Sequence, residues 1–308
     1  MEPIYTIPPD LNRIGEADVL PMVDPNWGMD VFDVAQLRMY TDGSGVIVGV
    51  IDTGVDDTHP DLAGQVIAKK DFSGSGHAGD KNGHGSHVSG TVGAKNPSIG
   101  VAPGCKIVHG KGLSDGGSGG GRGIADAMQW CVDNGAEILS MSLGSSGRDP
   151  LIDAMGQKLT DLGIWICAAA GNSGGNTQNV DYPGRLPWAL SIAAVDRNKK
   201  VASFSSRGAK IETSGAGVNI WSLRPGGGYA QMSGTSMATP FCAGVLALYR
   251  AGLKVKNKPI PKTDGIRAIL VDDALDVMDP GVDVRTGPGM ISPVLLASNY
   301  VDAPPLAI

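Results

Sequence analysis

An α/β fold with a mainly parallel sheet is predicted on three observations. Apolar strand-like runs at 46–51, 106–109, 136–141, 163–169 and 189–195 alternate with helical patterns, the order that builds parallel sheets with helical crossovers. Ile124, Ala127, Met128, Cys131 and Val132 fall at i, i+3, i+4, i+7 and i+8, and Ile152, Met155, Leu159 and Leu162 nearly so, giving two helices with core-facing stripes. The first and fourth runs lead into polar residues, Asp52 and Asn172, at the carboxyl ends of strands, where open α/β sheets gather their ligands.

The remaining elements follow from local signals. His84 stands between Gly83 and Gly85 at the mouth of a helix reaching about residue 94. The run 116–121, five glycines and a serine, is a loop. Ser236 follows Gly234-Thr235 and opens an Ala/Leu-rich helix, and Thr263 reads as the cap of a helix to about Asp273. With 308 residues, 42% of them hydrophobic, the chain can bury a large core. No Pro- or Ser-rich linker and no repeat divides it, so a single main domain is expected.

Composition narrows the function classes. A net charge of −6 without a basic stripe argues against nucleic acid and against an anionic membrane surface as partner. No apolar stretch of about 18 residues is present to span a bilayer. The start Met1-Glu2-Pro3-Ile4 lacks the basic and apolar regions of a signal peptide. Cys105, Cys131, Cys167 and Cys242 have no metal-ligand spacing and read as buried free thiols, so the cytoplasm is the expected compartment.

Four residues carry the chemistry. A serine at a helix start has free backbone N–H groups and the positive end of the helix dipole around it, which suits a nucleophile whose attack creates an oxyanion, although most serines so placed are merely N-caps. Asp52 is a carboxylate at a strand end. His84 can reach neighbours on both sides, and the side-chain N–H of Asn172 can hold an oxyanion. Asp56 and Asp57 read as solvated or capping turn carboxylates, His59 and His87 as structural, and His77 and His109 as loop and strand residues. His84 and His87 share a helical face, but no third zinc ligand accompanies them.

Asp52-Thr53-Gly54, His84 within Asn82-Gly83-His84-Gly85-Ser86-His87-Val88, Asn172 after Ala168-Ala169-Ala170-Gly171, and Ser236 within Gly234-Thr235-Ser236-Met237-Ala238 resemble the signatures of the subtilisin-like serine proteases, in that family's chain order. His59-Pro60-Asp61-Leu62, Gly100-Val101-Ala102-Pro103 and Tyr182-Pro183-Gly184 extend the likeness. The resemblance implies a three-layer fold and a serine endopeptidase that needs no cofactor for its chemistry. In it Ser236 attacks, His84 is base and then acid, Asp52 orients the imidazole, and Asn172 with the Ser236 N–H forms the oxyanion hole. Peptide or protein substrates would add as a strand between Gly117-Ser118-Gly119 and Ser142-Leu143-Gly144. The pocket for the residue before the cleaved bond would be walled by Ala169, Ala170 and Gly171, with Ser173 at its rim and Asp181 near its base, implying a preference for Lys or Arg.

The same resemblance divides the chain into an extension (1–25), a catalytic domain (26–297) and a tail (298–308), in the outline of intracellular members of the family. Within the extension, Ile7, Pro8 and Pro9 resemble an element lying across the active site. Prolines lack N–H and restrict the chain, so this segment can bind without being cut. The run 95–99 is shorter than the usual calcium loop. A weaker cation site would use carbonyls of Gly184, Leu186 and Ala189 with the Glu212 carboxylate, which leaves structural calcium or another cation open. A homodimer is permitted. The alternatives are a specialised peptide-processing or transpeptidating subtilase, and a non-catalytic peptide-binding module.

Overall fold

The computed structural model describes residues 2–7, 15–20, 25–176 and 180–298. Two strands come from the extension, β1 (Ile4–Thr6) and β2 (Gly15–Ala17), followed by short helices α1 (Gly28–Val31) and α2 (Ala35–Arg38). The body then alternates: β3 (Ile47–Asp52), β4 (Val66–Asp71), α3 (His84–Gly93), β5 (Lys106–Lys111), β6 (Ser118–Gly120), α4 (Gly121–Asp133), β7 (Ile138–Met141), α5 (Pro150–Asp161), β8 (Trp165–Ala169) and β9 (Leu190–Val195). It closes with β10 (Thr213–Ala216), the hairpin β11 (Ile220–Leu223) and β12 (Tyr229–Met232), α6 (Thr235–Val255), α7 (Thr263–Asp272), β13 (Ala274–Leu275), β14 (Met290–Ile291) and α8 (Pro293–Ser298).

Nine strands form the central sheet in the order β13-β14-β10-β9-β8-β7-β3-β5-β4, parallel except for the β13–β14 pair. Side-chain alternation along β3 separates two cores. Val48 and Val50 join a cluster with Val88 and Val92 of α3 and Val245 and Leu246 of α6. Ile51 joins the opposite cluster with Ile124 and Met128 of α4 and Ile152 and Leu159 of α5. These are the predicted stripes, and the three layers are as expected. The five predicted central strands are all present.

The sequence signal fails at the sheet margins. β4 is Val-Ile-Ala-Lys-Lys-Asp and half exposed, so no buried apolar run marks it. β13 and β14 have only two residues each. Thr263 begins α7 instead of capping it, the cap position belonging to Lys262 without a side-chain hydrogen bond. Likewise Gly234, not Ser236, is the cap of α6. The tail from 299 onward lies outside the described residues.

Candidate active site

Asp52 ends β3 and His84 begins α3, and packing α3 against that edge of the sheet brings them together. His84 Nδ1 and Asp52 Oδ1 are 2.7 Å apart, with the imidazole 2% and the carboxylate 0% exposed. Asp80 does much of the joining. Its buried carboxylate accepts the N–H groups of Asn82 (3.0 Å), Gly83 (2.8 Å) and Ser86 (2.8 Å), satisfying donors at the start of α3, and also the Thr53 hydroxyl (3.0 Å). Thr53 Oγ1 in turn accepts the Gly85 N–H at 2.9 Å, so the residue after the acid is bonded to the residue after the histidine.

Two more buried groups support this corner. Lys111, fully buried at the end of β5, donates to Asp115 Oδ1 (2.7 Å), to the Gly79 carbonyl (3.2 Å) and to the Thr53 carbonyl. His109 Nε2 accepts the Gly54 N–H at 3.2 Å, which makes Nδ1 the protonated nitrogen facing Ser89 Oγ at 3.0 Å. Burial pushes the His109 pKa down to about 4 against the opposing pull of the Asp52 charge. Sequence reasoning missed Asp80, Thr53 and Lys111 and gave His109 no role. Only Asp80 had a legible signal, an acidic residue just before a helix start.

Ser236 lies in the first turn of α6, and its hydroxyl faces the Ser142 carbonyl at 3.4 Å. Among the described residues, His84 Nε2 has no hydrogen-bond partner. Pro240 sits inside α6 and lacks the N–H that would otherwise bond the Ser236 carbonyl. Ser142 Oγ supplies the missing donor at 2.8 Å, tying the first turn of α6 to the segment after β7. Asn172 Oδ1 accepts both the Thr235 N–H (3.0 Å) and the Thr235 hydroxyl (2.9 Å). With its oxygen committed, the amide presents Nδ2 as the donor left for another acceptor.

The chain's own β1 lies between the two segments expected to bind substrate. β1 pairs antiparallel with β6, Tyr5 opposite Gly119 and Thr6 opposite Ser118. On its other side Thr6 and Gly144 exchange two N–H···O bonds of 3.0 Å, and the Ile7 N–H reaches the Gly117 carbonyl at 3.0 Å. Tyr5 is fully buried in the cluster containing Leu113, Ile124 and Leu143, its hydroxyl 3.4 Å from the Gly147 carbonyl. Burial raises its phenol pKa, and the Asp149 charge raises it further. Ile7 is thus in the cleft, while Pro8 and Pro9 lie outside the described residues.

Ala169, Ala170, Gly171 and Asp181 also come together. The Asp181 N–H bonds the Ala170 carbonyl at 2.9 Å, and its carboxylate lies over Gly171, where a Cβ would meet Oδ2 at 2.3 Å. With φ of +103° as well, only glycine fits there. Burial raises the Asp181 pKa, and Arg185 opposes that shift. Ser173 is exposed at the rim.

The residues named for the weaker cation site have another partner in the structure. Arg267 Nε donates to Glu212 Oε1 (3.0 Å), and its Nη2 to the carbonyls of Ala189 (3.0 Å) and Pro187. A guanidinium therefore serves the carboxylate and one of the three carbonyls named for a cation with Gly184 and Leu186. Among the described residues, no group of three or more His, Cys, Asp and Glu could hold a metal ion. The four cysteines are buried free thiols; desolvation raises Cys105, Cys131 and Cys167 to about 12 and Cys242 well above its ordinary value. His59 and His87 bond the Gly228 and Ile220 carbonyls at 3.0 Å each, the structural roles expected of them.

A buried carboxylate–imidazole pair and a serine in the first turn of a helix, in the chain order Asp, His, Ser, are the residue types from which a Ser-His-Asp site is built. The sequence model of the subtilase family (Peptidase_S8) matches residues 43–289, and the chain belongs to that family. It is similar to alkaline elastase YaB of Bacillus sp. (strain YaB), 41% identical over 241 residues that cover 76% of this chain and 62% of that protein. It is also similar to the thermostable alkaline protease of Halalkalibacterium halodurans, 40% identical over 230 residues (73% and 62%), and to subtilisin Savinase of Lederbergia lenta, 41% over 212 residues (68% and 77%). The chain thus spans under two thirds of the length of the first two relatives.

Proposed function

We propose that this subtilase is a serine endopeptidase held in check by its own N-terminal strand. The buried 2.7 Å Asp52–His84 contact beside the Ser236 helix carries the reading. In this mechanism the Ser236 hydroxyl exchanges the Ser142 carbonyl for His84 Nε2, a ring nitrogen with no other partner among the described residues. The imidazole takes its proton as Oγ bonds to the scissile carbonyl carbon. Asp52 holds the Nδ1–H tautomer and stabilises the imidazolium. Asn172 Nδ2 and the Ser236 N–H meet the oxyanion at the positive end of α6. His84 then protonates the leaving amine, and water attacks the acyl-enzyme by the reverse steps. Side chains and backbone fill every role, so no cofactor is needed.

Main-chain pairing at both edges supports broad sequence tolerance, and Asp181 supports a preference for Lys or Arg before the cleaved bond. The resident strand supports autoinhibition, since Tyr5, Thr6 and Ile7 hold the hydrogen-bonding groups a substrate needs. The buried thiols support a reducing compartment, and we place the enzyme in the cytoplasm acting on peptides and proteins. A serine-directed fluorophosphonate should label the protein once per chain and abolish peptide hydrolysis. Ser236→Ala should take up no label and lose about 10^6-fold in kcat. Hydrolysis surviving that substitution would refute the mechanism.

A further inference from the structure

The extension touches the body at a second place, and the chemistry there is specific. β2 pairs antiparallel with β12, Ala17 opposite Tyr229, Glu16 opposite Ala230 and Gly15 opposite Gln231. Glu16 and Asp18 are two residues apart and so share one face of the extended segment. Arg224 receives both: Nη1 donates to Glu16 Oε2 and Nη2 to Asp18 Oδ1, each at 2.8 Å, while Nε is held by the Gly227 carbonyl at 3.0 Å.

The turn behind this fork is fixed by the body of the protein. Asp56 Oδ2 accepts the Gly226 N–H at 2.8 Å, and His59 Nε2 bonds the Gly228 carbonyl at 3.0 Å. Gly228, at φ +75°, lets the visiting backbone come close, since a Cβ there would sit 2.6 Å from the Ala17 carbonyl oxygen. Asp56 and His59 thus find a use in holding a peptide-binding turn.

We infer that the β12 edge and Arg224 form a second peptide-binding site. It takes an extended substrate segment bearing acidic side chains two residues apart, at nine and eleven positions beyond the residue seated where Ile7 sits, the spacing of Glu16 and Asp18. The inference rests on the reading that residues 4–7 occupy the substrate cleft. A polypeptide threaded as the extension is threaded meets the cleft first and β12 next. Main-chain pairing accepts any sequence there, and the guanidinium fork selects carboxylates. Because the extension already occupies both places, an acidic substrate competes for its latch as well as for its cleft.

The test uses the full chain with Glu16→Gln and Asp18→Asn, which frees Arg224 of its resident charges. Two long peptides with one Lys cleavage site are compared, one carrying Glu and Asp at the two downstream positions and the other Gln and Asn. The acidic peptide should show kcat/KM about fivefold higher, through KM. Adding Arg224→Gln should bring the ratio to about one. Equal kcat/KM for the two peptides, or a ratio that survives Arg224→Gln, overturns the site. Failure of the occupied-cleft reading shows separately, as equal tetrapeptide turnover by the wild-type chain and by a Thr6→Pro chain.

Discussion

Around Asp52 and His84 the anchoring groups include several buried side chains, Asp80, Thr53, Lys111 and His109, whereas the edges at Gly117 and Gly144 meet their occupant through backbone N–H and C=O groups. The first arrangement is pre-organised and shut off from water, so its hydrogen bonds keep one geometry. The second is generic, and any extended chain satisfies it, including residues 4–7 of the protein itself. On the proposed function, a fixed Asp–His corner beside an adaptable cleft puts control of the enzyme in access to the cleft, with little change required in the proposed triad.

Substitutions can break the two sides separately. On the chemical side, Asn172→Ala should cut kcat by about 10^2- to 10^3-fold with KM little changed, because its donor acts on the oxyanion and not on the ground state. A loss confined to KM would remove Asn172 from the oxyanion hole. On the cleft side, Asp181→Ser should lower the ratio of cleavage after Lys to cleavage after Leu by about tenfold or more, read by competition between the two peptides. The Lys preference of the wild type should also fade on acidification at a higher pH than an ordinary carboxylate would give, since burial raises the Asp181 pKa. An unchanged ratio in Asp181→Ser would turn that carboxylate out of the pocket.

His109 sharpens the comparison through stability. Its folded pKa of about 4 lies below the ordinary histidine value of about 6.5, so the folded chain binds fewer protons between those values. Its contribution is present above the unfolded pKa and is lost as pH falls from about 6.5 to about 4, amounting to ~3 kcal/mol at the low end. The slope of Tm against pH over that window should flatten in His109→Gln. An identical slope would show that the ring does not stay neutral under the Gly54 turn.

The residues of the proposed chemistry stood out in the sequence because each sits in a compact local motif. Asp52 closes an apolar run, His84 is flanked by glycines, and Ser236 follows a glycine at a helix start. The groups that hold these residues were less legible, since their partners are remote in sequence. Lys111 lies beyond the run 106–109 read as a strand, and nothing local marks its ammonium as the partner of the Thr53 and Gly79 carbonyls. Arg267 drew no notice in the sequence, yet it bonds Glu212 and the Ala189 carbonyl, two of the groups named for a cation. The pairing of β2 with β12 had no signal, because Gly15-Glu16-Ala17 lacks both the length and the alternation of a strand.

Occupation of the cleft by the extension is tested most directly by measuring hydrolysis of a tetrapeptide amide ending in Lys by the full chain and by its Thr6→Pro variant. Proline removes the Thr6 N–H that bonds the Gly144 carbonyl at 3.0 Å and constrains Tyr5 before it. The variant should be faster by about tenfold or more, with an unchanged rate at saturating substrate per fluorophosphonate-reactive site. Equal rates for the two chains would contradict it.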